Sequence, residues 1–391
     1  MWPRRLEGGS AALRESGDRG SPRRQGANIV SRVAHRAVLA GDLSAPTERR
    51  ATLAEVAGSV VVAVGHGLMD ELAEVDEAVL VAHGGPKGSM SLVDLDSAER
   101  LRRVAPPRLR CAGGAAANTA VGVSLLGVPA SFVGHVADDE HGRAFVDDLE
   151  AMGVEFLGTV SPGDAPGGER MGTGRCLVMV TPDGERTMHT HLGAAARLRP
   201  EHVDRAAVRG AEWALLEGYL WDSPAGAEAA LAVAEAVREG GGRVAVSLSD
   251  ARCVTRHRGA FAELVRGGVD LVLGNEEEVL ALAGVPELGR ALSLLVGPDL
   301  VVVTTRGPAG SVVASSSGTT SVEAVPVSRV VDGTGAGDFY AAGFLAARCR
   351  GVDLDQAAWE GSVVASSVLE VVGTRPIVSL PPLVRAHAGL A

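Results

Sequence analysis

From about residue 59 onward, short wholly apolar runs alternate with amphipathic or small-residue stretches. Ser59-Val60-Val61-Val62-Ala63-Val64-Gly65 is apolar at every position between two small residues, the pattern of a strand buried on both faces. Runs of the same kind occupy residues 130–134, 213–216, 243–248, 269–273 and 300–304. Between them the spacing predicts helices over 115–126, closed by Gly127-Val128-Pro129, and over 225–239, 276–283 and 339–347. Strands and helices in alternation predict an α/β fold, a doubly wound, mostly parallel sheet flanked by helices. Two stretches break the rhythm. Residues 71–91 and 172–188 read as antiparallel or hairpin material, the second with Pro182-Asp183-Gly184 as its turn. They predict a small β-sheet lid, near 71–91 and 170–192, over the carboxyl ends of the main strands, where open α/β sheets hold their ligands.

Residues 1–55 carry no such pattern. Ten arginines from Arg4 to Arg50, with scattered Gly and Ser, predict a disordered leader ahead of a domain over 56–391. A transit peptide is the alternative, and Glu7, Glu15 and Asp18 count against it.

Composition narrows the function. The 391 residues are 46% hydrophobic and 22% charged, as in ordinary soluble domains, and the net charge of −11 argues against a nucleic-acid surface. No apolar run reaches the length of a membrane span. Cys111, Cys176, Cys253 and Cys349 are scattered, with no C-x-x-C pair, which suits buried thiols in a reducing cytoplasm. Lys87 is the only lysine, so there is no G-x-x-x-x-G-K-[ST] phosphate loop. Any phosphate chemistry must rest on backbone amides, arginine and a metal.

The segment that carries chemistry is Asp332-Gly333-Thr334-Gly335-Ala336-Gly337-Asp338, between a strand-like Val330-Val331 and the helix that starts at Phe339. A glycine turn opening a helix presents bare N–H groups and the positive end of the helix dipole to an anion. Asp338 at that mouth would repel a resting phosphate; a base that takes a proton from an attacking hydroxyl explains it.

On these residues the chain resembles the ribokinase-like (pfkB) carbohydrate kinases, most of all their adenosine-kinase-like branch, over about residues 60–376. The turn matches the family's D-T-x-G-A-G-D with Gly333 in place of Thr. The resemblance implies an anion hole at Gly335, Ala336 and Gly337, with Thr334 beside the nucleotide and Asp338 as catalytic base. Gly113-Gly114-Ala115-Ala116-Ala117-Asn118 is similar to the G-G-x-x-x-N run, which places Gly113, Gly114 and Asn118 at the acceptor. Gly65-His66-Gly67-Leu68-Met69-Asp70 resembles G-N-x-x-x-D; Asp70 would accept hydrogen bonds from two vicinal hydroxyls, while His66 reads equally as a structural histidine. Asn275-Glu276-Glu277-Glu278 resembles N-x-x-E, implying nucleotide contacts from Asn275 and Mg2+ held through waters at Glu278. Thr305, Gly307 and Gly310 fall in a T-x-G-x-x-G nucleotide turn. Arg186, or Arg175, is the candidate cation for the transferred phosphoryl group.

The implied protein is an ATP-dependent kinase acting on the primary hydroxyl of a sugar or nucleoside, monomeric or homodimeric, with Mg2+ and a monovalent cation such as K+ as further cofactors. Two other classes stay open. One is a catalytically weak sugar- or nucleoside-binding regulator, against which Asp338 and Glu278 both speak. The other is a dinucleotide enzyme, against which the lack of an early G-x-G-x-x-G speaks. With aromatics at 3% of the chain, Phe132, Phe156, Tyr219 and Trp221 are the few residues that could stack on a base.

Overall fold

The strands of the computed structural model are, in chain order, β1 (Val61–Val64), β2 (Leu68–Glu74), β3 (Met90–Leu92), β4 (Leu109–Gly113), β5 (Ala130–Val133), β6 (His135–Ala137), β7 (Val154–Phe156) and β8 (Thr159–Ser161). They continue with β9 (Gly174–Val180), β10 (Arg186–His191), β11 (Trp213–Glu217), β12 (Arg243–Ser247), β13 (Leu271–Asn275), β14 (Val301–Thr305), β15 (Ser311–Ser315) and β16 (Gly318–Val322). The helices that matter here are α1 (Leu95–Val104), α2 (Ala115–Leu125), α3 (Glu140–Ala151), α4 (Pro224–Glu239), α5 (Glu276–Ala283), α6 (Ala336–Cys349) and α7 (Leu354–Leu369). The structure describes residues 59–162, 171–376 and 378–387, and the predicted leader lies outside them.

Every predicted apolar run is a strand of one nine-stranded sheet, ordered β16-β15-β14-β13-β12-β11-β1-β5-β7. Pairing is parallel from β7 to β14 and antiparallel only at the β14-β15-β16 edge. β1 shows why the runs are unbroken. Val62 and Val64 enter a core shared with α4, whereas Val61 and Ala63 enter a second core against α2 and α6. A strand with helices on both faces has no position left for a polar side chain. Sequence reading did not separate out β7, which is three residues long, β16, whose polar residues are exposed, or β15, a buried strand framed by Ser311 and Ser315.

Because the central strands run parallel, their carboxyl ends lie along one edge. Glu217 ends β11 beside Ser247 of β12, and Asn275 ends β13 beside Thr305 of β14. At that edge the chain leaves β1 and, after Gly65-His66-Gly67, enters a second sheet ordered β3-β10-β9-β2-β4. One face of this small sheet packs Ala73, Leu177 and Met179 against Leu80, Leu101 and Ala105. The other face carries Leu72, Cys176 and Val178. Residues 172–188 form the expected hairpin, β9 against β10. Residues 71–91 do not pair with one another: β2 runs parallel to β9 and antiparallel to β4, β3 pairs with β10, and a helical turn at residues 77–84 separates them. Leu80, at 2% exposure, anchors that turn in the core of the small sheet, a non-local contact that overrides the local strand pattern.

Candidate active site

The glycine turn opens α6 as expected, but the helix starts at Ala336 rather than Phe339, and Val330-Val331 ahead of the turn lie in no strand. Gly335 caps the helix with φ +77°, a left-handed conformation that a side chain would strain, and a Cβ there would press on Thr374. Gly337 and Asp338, in the first turn, have backbone N–H groups with no partner among the described residues. That is the donor pair an anion needs at a helix N-terminus.

Asp338 reaches the cleft beside these amides. Its Oδ2 accepts a hydrogen bond from Asn118 Nδ2 at 3.0 Å, and its main-chain oxygen accepts one from Thr119 Oγ1 at 3.1 Å. Burial pushes its carboxyl up to about 7; Asn118 opposes the shift, and the charges of Glu217, Asp70 and Glu278 add to it. A carboxylate poised near neutral pH suits proton transfer.

Asn118, buried on α2, is held from its other side by Arg375, whose Nη1 donates to Asn118 Oδ1 at 2.9 Å. Arg375 also donates through Nη2 to Ala112 O at 2.7 Å and pairs with Asp148 of α3 at 3.0 Å. Sequence reading did not single out Arg375. It stands alone in a short Gly373-Thr374-Arg375-Pro376 loop, with no spacing to mark it.

Asp70 lies within β2 rather than in a loop after β1. Gly113, opposite Leu68 on β4, lets it in: a Cβ there would overlap the Asp70 carboxylate. No described residue donates a hydrogen bond to that carboxylate, and burial pushes it up to about 6 while Arg375 and Arg186 pull the other way. Gly114, with φ +93°, brings the α2 N-terminus against the His66 carbonyl. His66 itself is an internal partner: its Nδ1 lies 2.7 Å from Glu217 Oε1. Glu217 Oε2 accepts from the Ala116 amide at 3.1 Å, so this buried acid caps α2. It was the second residue missed, although an acid closing the apolar run Trp213-Ala214-Leu215-Leu216 was a visible signal.

Arg186 and Arg175 part company. Arg186 pairs with buried Asp332, which also accepts from the amides of Thr334 at 2.9 Å and Gly373 at 2.8 Å. It therefore stands at the glycine turn. Arg175 is a neighbour of Leu177 on the opposite face of the small sheet, pairs with Glu99 of α1 at 2.6 Å, and is not at the cleft. Alternation along β9 separates it from Cys176, the register partner of Asp70.

Asn275 and Glu278 point together, but chiefly at each other. Asn275 N and Nδ2 donate to the Glu278 carboxylate at 2.9 and 2.7 Å, and Glu278 N donates to Asn275 Oδ1 at 2.9 Å, a full capping box on α5. Burial, with Asp250 and Glu277 nearby, pushes Glu278 up to about 7. Glu278 is a hard-oxygen group that could hold a divalent cation through water, although Asn275 engages both its oxygens here. Thr305 sits beside Asn275; Gly307 and Gly310 form the turn into β15, farther along the same edge. Asp222, Cys253 and His257 also place ligand atoms within 4.8 Å of one another, yet Arg256 takes both Asp222 oxygens, which accounts for that cluster without a metal.

Among the aromatic candidates, Phe132 and Trp221 are core: Phe132 packs on Phe145 and Phe156, and Trp221 stacks on Phe261. Half-buried Tyr219 is at the cleft, where burial and the charges of Asp250, Glu217, Glu278 and Asp338 push its hydroxyl up.

Residues 94–380 match the model of the pfkB family carbohydrate kinases. The chain belongs to this family. Within it, the chain is 30% identical over 287 residues to a 5-dehydro-2-deoxygluconokinase of Shouchella clausii, covering 71% of this chain and 86% of that one. Adenosine kinase from Sinorhizobium meliloti superposes with a TM-score of 0.78 at 38% identity, over 85% of this chain and all of that one. A probable sugar kinase from Rhizobium etli gives 0.78 at 36%, over 86% of this chain and 100% of its own. The pfkB assignment fits the observed architecture, a large mostly parallel sheet flanked by helices with a small separate sheet. Among the described residues no helix is long and apolar enough to cross a membrane.

Proposed function

We propose that the protein transfers the γ-phosphoryl group of ATP to the primary hydroxyl of a sugar or nucleoside, with Asp338 as the base. The observation that carries this reading is the pairing of a carboxylate poised near neutrality with two amides on the same helix turn that have no partner among the described residues. Asp70 and Asn118 hold the acceptor, with Gly113 and Gly114 giving it room. Asp338 takes the hydroxyl proton; the hydroxyl oxygen bonds to the γ-phosphorus; the bond from phosphorus to the ADP oxygen breaks, and ADP leaves with that electron pair. The Gly335 to Gly337 turn and the α6 dipole stabilise charge on the group in transit, and Arg186 stands by the turn to add a positive charge. Asn275, Thr305, Gly307, Gly310 and Thr334 line the nucleotide side. Glu278 would hold Mg2+ through water, and the ion would offset phosphate charge. The small sheet acts as the lid that keeps water from the phosphoryl group.

The acceptor class is open to both chemistries named for its relatives, since Asp70 recognises a diol whether the sugar is free or carries a base. ADP release measured with adenosine, D-fructose and a panel of further nucleosides and sugars, in K+ and in K+-free buffer, tests the reading. Acceptor-dependent ADP release supports it, and Mg2+-dependent nucleotide binding with no turnover on any acceptor contradicts it.

A further inference from the structure

We propose that Arg375 is a positioning residue: it locks the side-chain amide of Asn118 so that the NH2 group faces Asp338, tying the C-terminal loop to the base. The inference rests on the reading of Asp338 as base, and it starts from donor and acceptor chemistry. A guanidinium only donates. Arg375 Nη1 lies 2.9 Å from the amide oxygen of Asn118, so the amide nitrogen must point the other way, where it donates to Asp338 Oδ2 at 3.0 Å. The guanidinium cannot swing away. It donates to Ala112 O on β4 at 2.7 Å and to the Thr374 carbonyl at 3.2 Å, and pairs with Asp148 on α3 at 3.0 Å. Its loop is tied to the glycine turn by the Gly373 amide, which donates to Asp332 at 2.8 Å.

Without Arg375 the only described side-chain contact left to orient the Asn118 amide is Asp338 itself, which holds the NH2 group only while ionised. Turned over, its oxygen would face Asp338 and accept a hydrogen bond from the protonated acid. The neutral form would then be favoured where the ionised form is favoured now. The other groups facing Asp338 are Glu217 from the end of β11, Asp70 from β2 and Glu278 from α5, all acidic, so the Asn118 amide is the contact that opposes them. Arg375 is itself faced by Asp148, by Asp70 and by Cys111 of β4. Its removal therefore acts on Asp338 through Asn118.

The test follows the Asp338 carboxyl directly, by 13C NMR of aspartate-labelled full-length protein without ligand, the Asp338 signal being the one lost in Asp338→Asn. In Arg375→Met the midpoint should move up by about one pH unit, the usual scale for losing a hydrogen bond to the charged form. Arg375→Lys, which keeps a cationic donor, should lie between the two. If Arg375→Met does not fold, Arg375→Gln is read instead, with the same direction expected. A midpoint unchanged from wild type in the folded variant overturns the proposal and leaves Arg375 as a brace. No acceptor is needed, so the result stands apart from the assignment of Asp338 as base: turnover surviving in Asp338→Asn would remove that assignment without altering this titration.

Discussion

The two sheets that meet at the cleft hold their polar groups in opposite ways. The large sheet offers groups from strand ends and helix termini: Glu217 closes β11, Asn275 caps α5, and Asp338 stands in the first turn of α6. Backbone geometry places them. The small sheet offers groups from the middle of strands, where the backbone fixes only which face they take. Asp70 and Glu71 are neighbours in β2 and face opposite sides. Glu71 is fully buried and ion-paired, with Arg102 at 2.8 Å and with Arg110 at 3.3 Å. Asp70 is buried, and among the described residues none donates a hydrogen bond to it. A buried acid without a donor costs stability unless it takes up a proton or water or a ligand supplies the bonds. The contrast is the reason Asp70 is proposed as the residue of β2 that meets the acceptor.

That comparison can be broken at several points. The largest effect is expected on the α6 side. Asp338→Asn should lower kcat by about 10²–10⁴, the usual contribution of a positioned base. The same change should raise thermal stability at pH 8. Asp338 is raised from 3.8 in the unfolded chain to about 7 in the fold, so folding favours its protonated form, and stability is lost as pH rises through that window. Asparagine removes this penalty, and a melting curve should move up by about 2 °C or more. On the small-sheet side, Asp70→Ala should raise acceptor KM roughly ten- to a hundredfold, from two hydroxyls left unpaired at about 1–3 kcal/mol. ATP KM should hardly change; a rise in ATP KM with acceptor KM unmoved would put the acceptor at the wrong sheet. Glu278→Gln should weaken Mg2+ activation by about tenfold or somewhat more, read from the Mg2+ concentration that gives half-maximal rate.

How much of this was legible follows from the same contrast. The large sheet was readable because burial on both faces writes itself as unbroken runs such as Val60 to Val64. The α6 turn was readable because only glycine serves at positions like Gly335, so the constraint shows in residue type. The small sheet was harder. Residues 71–91 carry strand-like patterning, yet part of them closes a helical turn over Leu80, a choice made by non-local packing. Arg175 and Arg186 look alike in sequence, and only the register of β9 and β10 sends one to Glu99 and the other to Asp332. Arg375 was out of reach because its partners Asn118, Ala112 and Asp148 lie far back in the chain and meet it only when the α2, α3 and β4 region closes over the C-terminal loop.

Asp338 is proposed to act as a base whose proton affinity the fold has raised. The most direct measurement is kcat against pH from 5 to 9 for the wild type and Asp338→Asn, with the acceptor that gives turnover. The wild type should lose activity on the acid side with a midpoint near 7, because the protonated acid cannot take the hydroxyl proton. The variant should be about 10²–10⁴ slower above that pH and show no such limb. Two profiles of the same shape and similar height would contradict the account.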